Sequence, residues 1–176
     1  MPFLTRLIPA MLVASALCAA SPAQAVQPAP LGLQLERLAG LLGDSHATAA
    51  PERAMLQAVN LPNGRALTLA VLALSSYGGG TNHRQYLAVF EQDRDERGPR
   101  GHFTLQDVIL IGEKGWRAVR ELKAKARADD QTGHVHLLLP ALVNVPGDAL
   151  HTPSKPQQIH LVLGRELREV AREAAP

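Results

Sequence analysis

The chain has 176 residues, with 18 Lys and Arg against 16 Asp and Glu, and only 3% of its residues are aromatic. A net charge of +2 is too small to be the electrostatic signature of a nucleic-acid-binding protein, for which a concentrated basic face is expected. With so few aromatic residues, the core must be built mainly from Leu, Val, Ile and Ala.

The first 25 residues have the pattern of a secretory signal peptide. Arg6 precedes an apolar run at 7–20, and a small-x-small cleavage site follows at 23–25. An apolar run of about 14 residues is too short to span a bilayer, which needs about 20. We therefore expect cleavage after Ala25, localisation in the periplasm or outside the cell, and no transmembrane segment in the mature chain.

Cys18, the only cysteine, lies inside this segment. A lipoprotein would be acylated at such a cysteine, but Leu17 stands where a small residue is expected, so this alternative is the less favoured one. Cleavage after Ala25 leaves a mature chain with neither disulfides nor thiol chemistry. Its stability must therefore come from a packed core.

The mature chain is expected to start with a short extended leader at 26–30, followed by a single globular domain at 31–176. Leu31, Leu35, Leu38, Leu41 and Leu42 recur at helical spacing before Gly43, which predicts an amphipathic helix over 31–42. The stretch 45–52 shows no periodicity and is predicted to be a loop.

Strand patterns begin after this loop. Apolar runs at 54–61 and 65–75 flank an Asn-Gly pair, which is a strong hairpin signal. The second run is apolar on both faces and is therefore expected to be a central strand, with the N-terminal helix covering one side. Further strands are predicted at 84–91, 103–112, 134–143 and 157–163, separated by a glycine-rich loop at 77–83, a charged turn at 93–101, a reversal at 113–115 and a proline-rich loop at 144–156.

Two segments are ambiguous. Residues 116–128 have the composition of a helix, yet apolar and charged residues alternate along them, which favours one long half-exposed strand. After Gly164 the chain can form either a hairpin into 167–170 or a helix, and its composition favours the helix. The expected fold class is α+β, with the N-terminal helix packed on a mostly antiparallel meander sheet of about six or seven strands.

Three segments together resemble a group of exported bacterial proteins to which no activity is assigned. The segments are TNHRQYLAVF at 81–90, IGEKGWR at 111–117 and PSKP at 153–156, and the resemblance spans about residues 54 to 163. It implies export and a strand-rich domain. Similar proteins often carry a cysteine pair where His151 and Thr152 stand here, so no disulfide is carried over.

Three histidines are candidates for a metal site. His134 and His136 lie two residues apart on a predicted strand and so share a face, and His160 would join them if its strand is a neighbour. Imidazole nitrogens suit Zn²⁺, Cu²⁺ or Ni²⁺. The alternative, which we favour, is a solvated sheet face on which histidines alternate with apolar residues.

A second candidate site is a surface for a partner or ligand, because Trp, Tyr and Arg concentrate binding energy at interfaces. Its members are Tyr77, Asn82, His83, Arg84, Tyr86, Trp116 and Arg117. Two alternatives remain within it. Trp116 is also a candidate core anchor, and Arg84 a candidate ion-pair partner for an acidic residue across the sheet. The glycines at 78–80 offer backbone N–H groups to an anion, although they lack the phosphate-loop pattern.

No catalytic residues are assigned. Ser154, His151 and Asp148 form a catalytic triad only on paper, because all three lie in one proline-rich loop. We expect an exported, non-enzymatic binding module that recognises an envelope protein or a small ligand. The alternative is a small periplasmic hydrolase, in which histidines, with or without a metal, carry the chemistry.

Overall fold

The computed structural model describes residues 29–62, 64–95 and 98–170. Within them the chain forms one α-helix and ten strands, with a 3₁₀ turn at Pro51–Arg53. In chain order the elements are α1 (Ala29–Leu42), β1 (Thr48–Ala49), β2 (Met55–Asn60), β3 (Ala66–Tyr77), β4 (Asn82–Asp95), β5 (Gly98–Glu113), β6 (Arg117–Ala118), β7 (Lys125–Ala128), β8 (Val135–Val143), β9 (Lys155–Leu163) and β10 (Leu167–Glu169).

All ten strands belong to one antiparallel sheet. Its order is β1-β3-β4-β5-β6-β8-β9-β10, with β2 also beside β3 and β7 also beside β8. The α+β class and the mostly sequential strand order are confirmed. The predicted number of six or seven strands is wrong, because β1 and β10 are additional short strands and the predicted strand over 116–128 is divided into β6 and β7.

The sheet curls so that one face of both its halves shares a single core. Leu69 of β3, Leu87 of β4, Leu137 of β8 and Leu161 of β9 all belong to this cluster and are fully buried. Helix α1 covers the other face of β3, β4 and β5, where Leu31, Leu35 and Leu38 pack with Ala70, Ala88, Phe90 and Phe103. The central position of β3, buried on both faces, is thereby confirmed.

The predicted strand over 116–128 is wrong in its middle. Only Arg117–Ala118 and Lys125–Ala128 pair as strands, and the residues between them follow an irregular path. Two glutamines replace the missing strand partner. Gln57 exchanges two hydrogen bonds with the backbone of Ala124, of 2.8 and 2.7 Å, and Gln85 exchanges two with Val119, of 2.9 and 2.8 Å. Side-chain amides thus satisfy backbone groups that a ladder would otherwise pair.

The predicted C-terminal helix is also wrong where the structure describes the chain. The turn at 164–166 leads into β10, which pairs with β9, and the backbone N–H of Leu167 donates to Asp107 Oδ2 at 2.5 Å. Leu167 is buried in the core, so tertiary burial overrides helix propensity. Residues 171–176 lie outside the described residues.

Smaller differences concern three loops. The helix begins at Ala29, so the last two residues of the predicted leader are helical. The predicted loop at 45–52 contains β1 and most of the 3₁₀ turn. The charged turn predicted at 93–101 is too long, because β4 reaches Asp95 and β5 starts at Gly98. The expected cleavage site after Ala25 lies outside the described residues.

Candidate functional site

Tyr77, Arg84 and Tyr86 of the predicted partner surface form a hydrogen-bonded network beside α1. The Tyr77 hydroxyl donates to the Leu42 carbonyl and lies 3.3 Å from the Tyr86 hydroxyl. Burial, followed by the hydrogen bond with Tyr86, raises the pKa of Tyr77 to about 12. The Arg84 guanidinium lies 4.5 Å from the centroid of the Tyr77 ring, and its Nε donates to Glu113 at 2.9 Å. The ion-pair alternative for Arg84 is therefore confirmed.

Arg117 belongs to a different network and is the most deeply buried charged residue in the described part of the chain. Its terminal nitrogens donate to both oxygens of Glu169 at 2.6 Å, and its Nε donates to the Ile111 carbonyl at 2.7 Å. The Trp116 ring lies 3.9 Å from the guanidinium and is 41% exposed. Arg117 therefore ties β6 to β10, and only Trp116 of this pair presents a surface to solvent.

His83 and Asn82 complete the predicted surface. Burial, followed by the nearby charges of Arg120 and Lys114, lowers the pKa of His83, which favours its neutral form. Asn82 donates to the Tyr77 carbonyl at 3.3 Å. The seven predicted residues thus do not form one surface, because Tyr77, Asn82, Arg84 and Tyr86 belong to one network and Arg117 to another, and the binding of a partner by them stays a prediction.

The glycine-rich turn binds a carboxylate of the chain itself. The Gly78 N–H donates to Asp44 Oδ2 at 3.0 Å, and Asp44 Oδ1 accepts from His46 and Ala47. These backbone N–H groups, that of Gly78 foremost, lower the pKa of Asp44. The N–H groups of Gly79 and Gly80 donate within the turn to Ser76 and Tyr77. The anion in this loop is therefore the Asp44 side chain.

β8 and β9, whose sequences were expected to form neighbouring strands, do pair, and they bring the imidazoles of His136 and His160 into contact. β8 and β9 are antiparallel, with His136 opposite Val162 and Leu138 opposite His160. His136 Nδ1 lies 3.0 Å from His160 Nε2, and the ring centroids are 5.3 Å apart with a 33° tilt. One ring must donate and the other accept, so at least one tautomer is fixed by the pair.

His134 does not join this pair. It precedes β8, and its ring packs against the turn at 164–166, where a Cβ added to Gly164 would lie 2.9 Å from the ring. In the ranges 29–62, 64–95 and 98–170, no group of three His, Cys, Asp or Glu side chains is arranged to hold a metal ion. The metal hypothesis for His134, His136 and His160 therefore has two of its three ligands together and stays a prediction.

The imidazole pair lies in an open cavity of about 370 Å³, which we call the imidazole cavity. It is lined by Lys125, Ala126, Arg127, Asp129, His136, Leu138 and His160. Asp129 is committed to its own turn: Oδ2 accepts from the Thr132 hydroxyl at 2.8 Å and Oδ1 from the Gln131 N–H at 2.9 Å. The Thr132 hydrogen bond is the main cause of the lowered pKa of Asp129.

The cations around this cavity have no carboxylate partner among the described residues. Lys125, Arg127 and Arg168 are exposed, and none of them forms a salt bridge with a described acidic side chain. Arg168 lines a neighbouring cavity of about 420 Å³ together with His134, Val162, Arg165 and Glu166. Positive charge is thus gathered on the outward face of β7–β10.

In the proline-rich loop at 144–156, Ser154 bonds directly to Asp148, which is not the arrangement of a catalytic triad. Asp148 Oδ2 accepts from the Ser154 hydroxyl at 3.0 Å and from the N–H groups of Val145 and Ser154. The Val145 N–H is the main cause of the lowered pKa of Asp148. The His151 carbonyl accepts from Arg120 at 3.0 Å. Ser154 and Asp148 therefore hold the proline-rich loop together.

No family model, curated protein or solved structure matches the chain. The resemblance to exported bacterial proteins stays a prediction. No helix in the described ranges has the length and apolarity needed to cross a membrane.

Sequence reasoning found the two histidines but missed the cations that surround them. The alternation at 125–127 placed Lys125 and Arg127 on one face. However, only the pairing of β7 with β8 puts Arg127 opposite His136 and Lys125 opposite Leu138. The alternation of Lys125 and Arg127 with alanines was visible in the sequence. That these cations lie beside the histidines depends on the pairing of β7 with β8 across a loop.

Proposed function

We propose that this protein is an exported, non-enzymatic binding module of the cell envelope that takes a small anionic ligand in the imidazole cavity. The observation that carries the proposal is the pair of imidazoles joined at 3.0 Å in a cavity flanked by Lys125 and Arg127. Export rests on the signal-peptide pattern of the first 25 residues.

The chemistry of the cavity favours an anion over a neutral ligand. Lysine and arginine side chains are obligatory hydrogen-bond donors, and the neutral imidazole pair, which uses one N–H for its own hydrogen bond, keeps one N–H for a ligand. Carboxylate, phosphate and sulfate oxygens accept such bonds strongly, because charge-assisted hydrogen bonds are about twice as strong as neutral ones. Asp129, the acidic group of the lining, has both its oxygens occupied by its own turn.

NMR of the imidazole groups tests this proposal directly. Titration with inorganic phosphate and with hexanoate should shift the ring signals of His136 and His160, and His136→Ala should abolish the shift at His160. The matched control is His151→Ala, since His151 is an exposed histidine in another loop. Unchanged ring signals with both probes, or shifts of equal size at all seven histidines, would overturn the proposal.

A second candidate is a hydrolase, favoured by the convergence of two imidazoles and the Asp129 carboxylate on one cavity. One imidazole would take a proton from water while the other protonates the leaving group. We rank this second because the lining holds no hydroxyl or thiol nucleophile and Asp129 does not orient either ring. Turnover in a broad hydrolase screen that disappears in His136→Ala would replace the binding proposal.

A further inference from the structure

The outward face of the β7–β10 half changes its chemistry along the strands. The side chains of β8 alternate, so that Leu137 and Leu139 enter the core while His136, Leu138, Pro140 and Leu142 face outward. The cross-strand partners of these outward residues are known from the register. Successive rows hold Arg127, His136, Val162 and Arg168; then Lys125, Leu138 and His160; then Pro140 and Gln158; and finally Leu142 and Pro156.

The first two rows form a basic end. They carry Lys125, Arg127 and Arg168 together with both imidazoles, and Arg165 lines the adjoining cavity. The acidic side chains lining the two cavities are Asp129, which is bound to its turn, and Glu166. Positive charge therefore exceeds negative charge at this end, and an anionic group is the complementary partner.

The last two rows form an apolar end. A second cavity there, of about 330 Å³, is lined by Pro140, Ala141, Leu142, Pro156 and Gln157 and also by Arg120, Glu121 and Lys123. Lys123 is paired with Glu121 at 2.9 Å, so its charge is balanced, and its aliphatic stem can cover apolar surface. Of the other polar lining residues, Arg120 donates to the His151 carbonyl at 3.0 Å and Gln157 is uncharged.

Leu138 connects the two ends. It lines the imidazole cavity and is followed on the same face by Pro140 and Leu142 of the second cavity. Because a strand rises about 3.3 Å per residue, Leu142 lies about 13 Å from Leu138 along β8. We call the outward residues Leu138, Pro140, Leu142 and Pro156 the apolar strip.

We propose that the ligand is a single-chain anionic amphiphile, with its head group in the imidazole cavity and its alkyl chain along the apolar strip. This inference rests on the proposed function, because it assigns a chemical class to the ligand of the same cavity. Carboxylate and phosphate heads share the required chemistry. A sugar chain fits less well, because the strip is built from Leu and Pro and carries no aromatic ring for a sugar to stack on.

Calorimetry with a series of n-alkanoates, from butanoate to dodecanoate and kept below micelle formation, tests the inference. Each added methylene that lies on the strip should tighten the dissociation constant by up to about fourfold, and the gain should end once the chain passes Leu142. Octyl phosphate should bind as well as or better than nonanoate. Octanol should bind at least tenfold more weakly than octanoate.

Variants locate the two ends of the ligand. In Leu142→Ser, affinity should stop rising at a shorter chain length than in the wild type, while the dissociation constant for hexanoate stays within twofold of the wild-type value. The matched control is Leu41→Ser on α1, where the leucine is 83% exposed. If Leu142→Ser does not fold, Pro156→Ser at the exposed end of β9 makes the same test. Lys125→Ala with Arg127→Ala should weaken every chain length at least tenfold, whereas Arg53→Ala, at an exposed site on the 3₁₀ turn, should not.

The outcomes separate this inference from the function on which it rests. If short anions shift the imidazole signals but affinity does not depend on chain length, the amphiphile is wrong and the anion-binding proposal stands. If no anion of any length shifts those signals, the proposed function itself fails. If binding occurs only to phosphatidylglycerol vesicles and not to monomeric alkanoates, the ligand is a membrane surface and this inference is overturned.

Discussion

Two regions of this protein differ in whether their cationic side chains have a carboxylate partner. Arg65, Arg84 and Arg117 each bind a carboxylate of the sheet, at 2.8, 2.9 and 2.6 Å. Around the imidazole cavity, Lys125 and Arg127 have no such partner among the described residues. A cation paired inside the fold holds strands together, whereas unpaired cations beside a cavity bring no such gain. The difference separates the cations that stabilise the fold from those that bind the ligand in the proposed function.

The largest expected effect is at Arg117. Arg117→Ala leaves the Ile111 carbonyl without its donor and the Glu169 carboxylate without its cation, and the Arg117 side chain is 2% exposed. Removing one partner of a buried ion pair costs about 3 to 5 kcal/mol. Because Glu169 is 35% exposed and can be hydrated, we expect about 3 kcal/mol. Chemical denaturation monitored by Trp116 fluorescence measures it.

Two controls sharpen this expectation. Arg117→Lys keeps the charge but loses the two-pronged contact with Glu169, so most of the destabilisation should remain. Arg127→Ala removes the same kind of side chain from the exposed face and should leave the free energy of unfolding within about 0.5 kcal/mol of wild type. Equal losses for Arg117→Ala and Arg127→Ala would remove the distinction between the two regions.

A smaller loss in the free energy of unfolding is expected on changing Gln85, whose uncharged side chain hydrogen-bonds with the backbone of Val119. Gln85→Leu leaves both backbone groups of Val119 without their partner. Unsatisfied buried polar groups cost about 1 to 3 kcal/mol, so we expect about 2 kcal/mol in a denaturant titration. Gln131→Leu, in an exposed turn, is the matched control. Faster hydrogen exchange at the Val119 amide would locate the effect, and unchanged exchange would contradict it.

The hydrogen bonds of Gln57 and Gln85 also show which part of the fold could not be predicted from the sequence. The hairpin of β2 and β3 and the helix before Gly43 were predictable, because their signals lie within a few residues of each other. The path of 119–124 was not, since it is held by Gln57 and Gln85, which lie 67 and 34 residues away from their partners. Alternation between 116 and 128 could not reveal a partner that is a side chain.

The candidate site divides in the same way. His136 and His160 were recognisable as strand residues, and their strands were expected to be neighbours, whereas His134, predicted on the same strand as His136, precedes β8. The diagonal contact of His136 with His160 depends on the exact register of β8 and β9, which no local pattern specifies. Trp116 and Arg117 suggested a binding surface by residue type alone, and only the position of β10 reveals Glu169 as the partner of Arg117.

The smallest expected effect is at Arg84, which is paired with a carboxylate as Arg117 is but is much more exposed. Its ion pair with Glu113 has side chains 39% and 37% exposed, and exposed pairs contribute less than about 1 kcal/mol. Its position over the Tyr77 ring adds a contribution of about 0.5 kcal/mol. Arg84→Ala should therefore lower the free energy of unfolding by about 1 kcal/mol, and half-molar salt should reduce that loss because it screens exposed charges. Salt should reduce the effect of Arg117→Ala much less, because the Arg117 guanidinium and its hydrogen bond to the Ile111 carbonyl are buried away from ions. A loss at Arg84 as large and as insensitive to salt as that at Arg117 would mean that burial does not separate structural cations from surface ones in this protein.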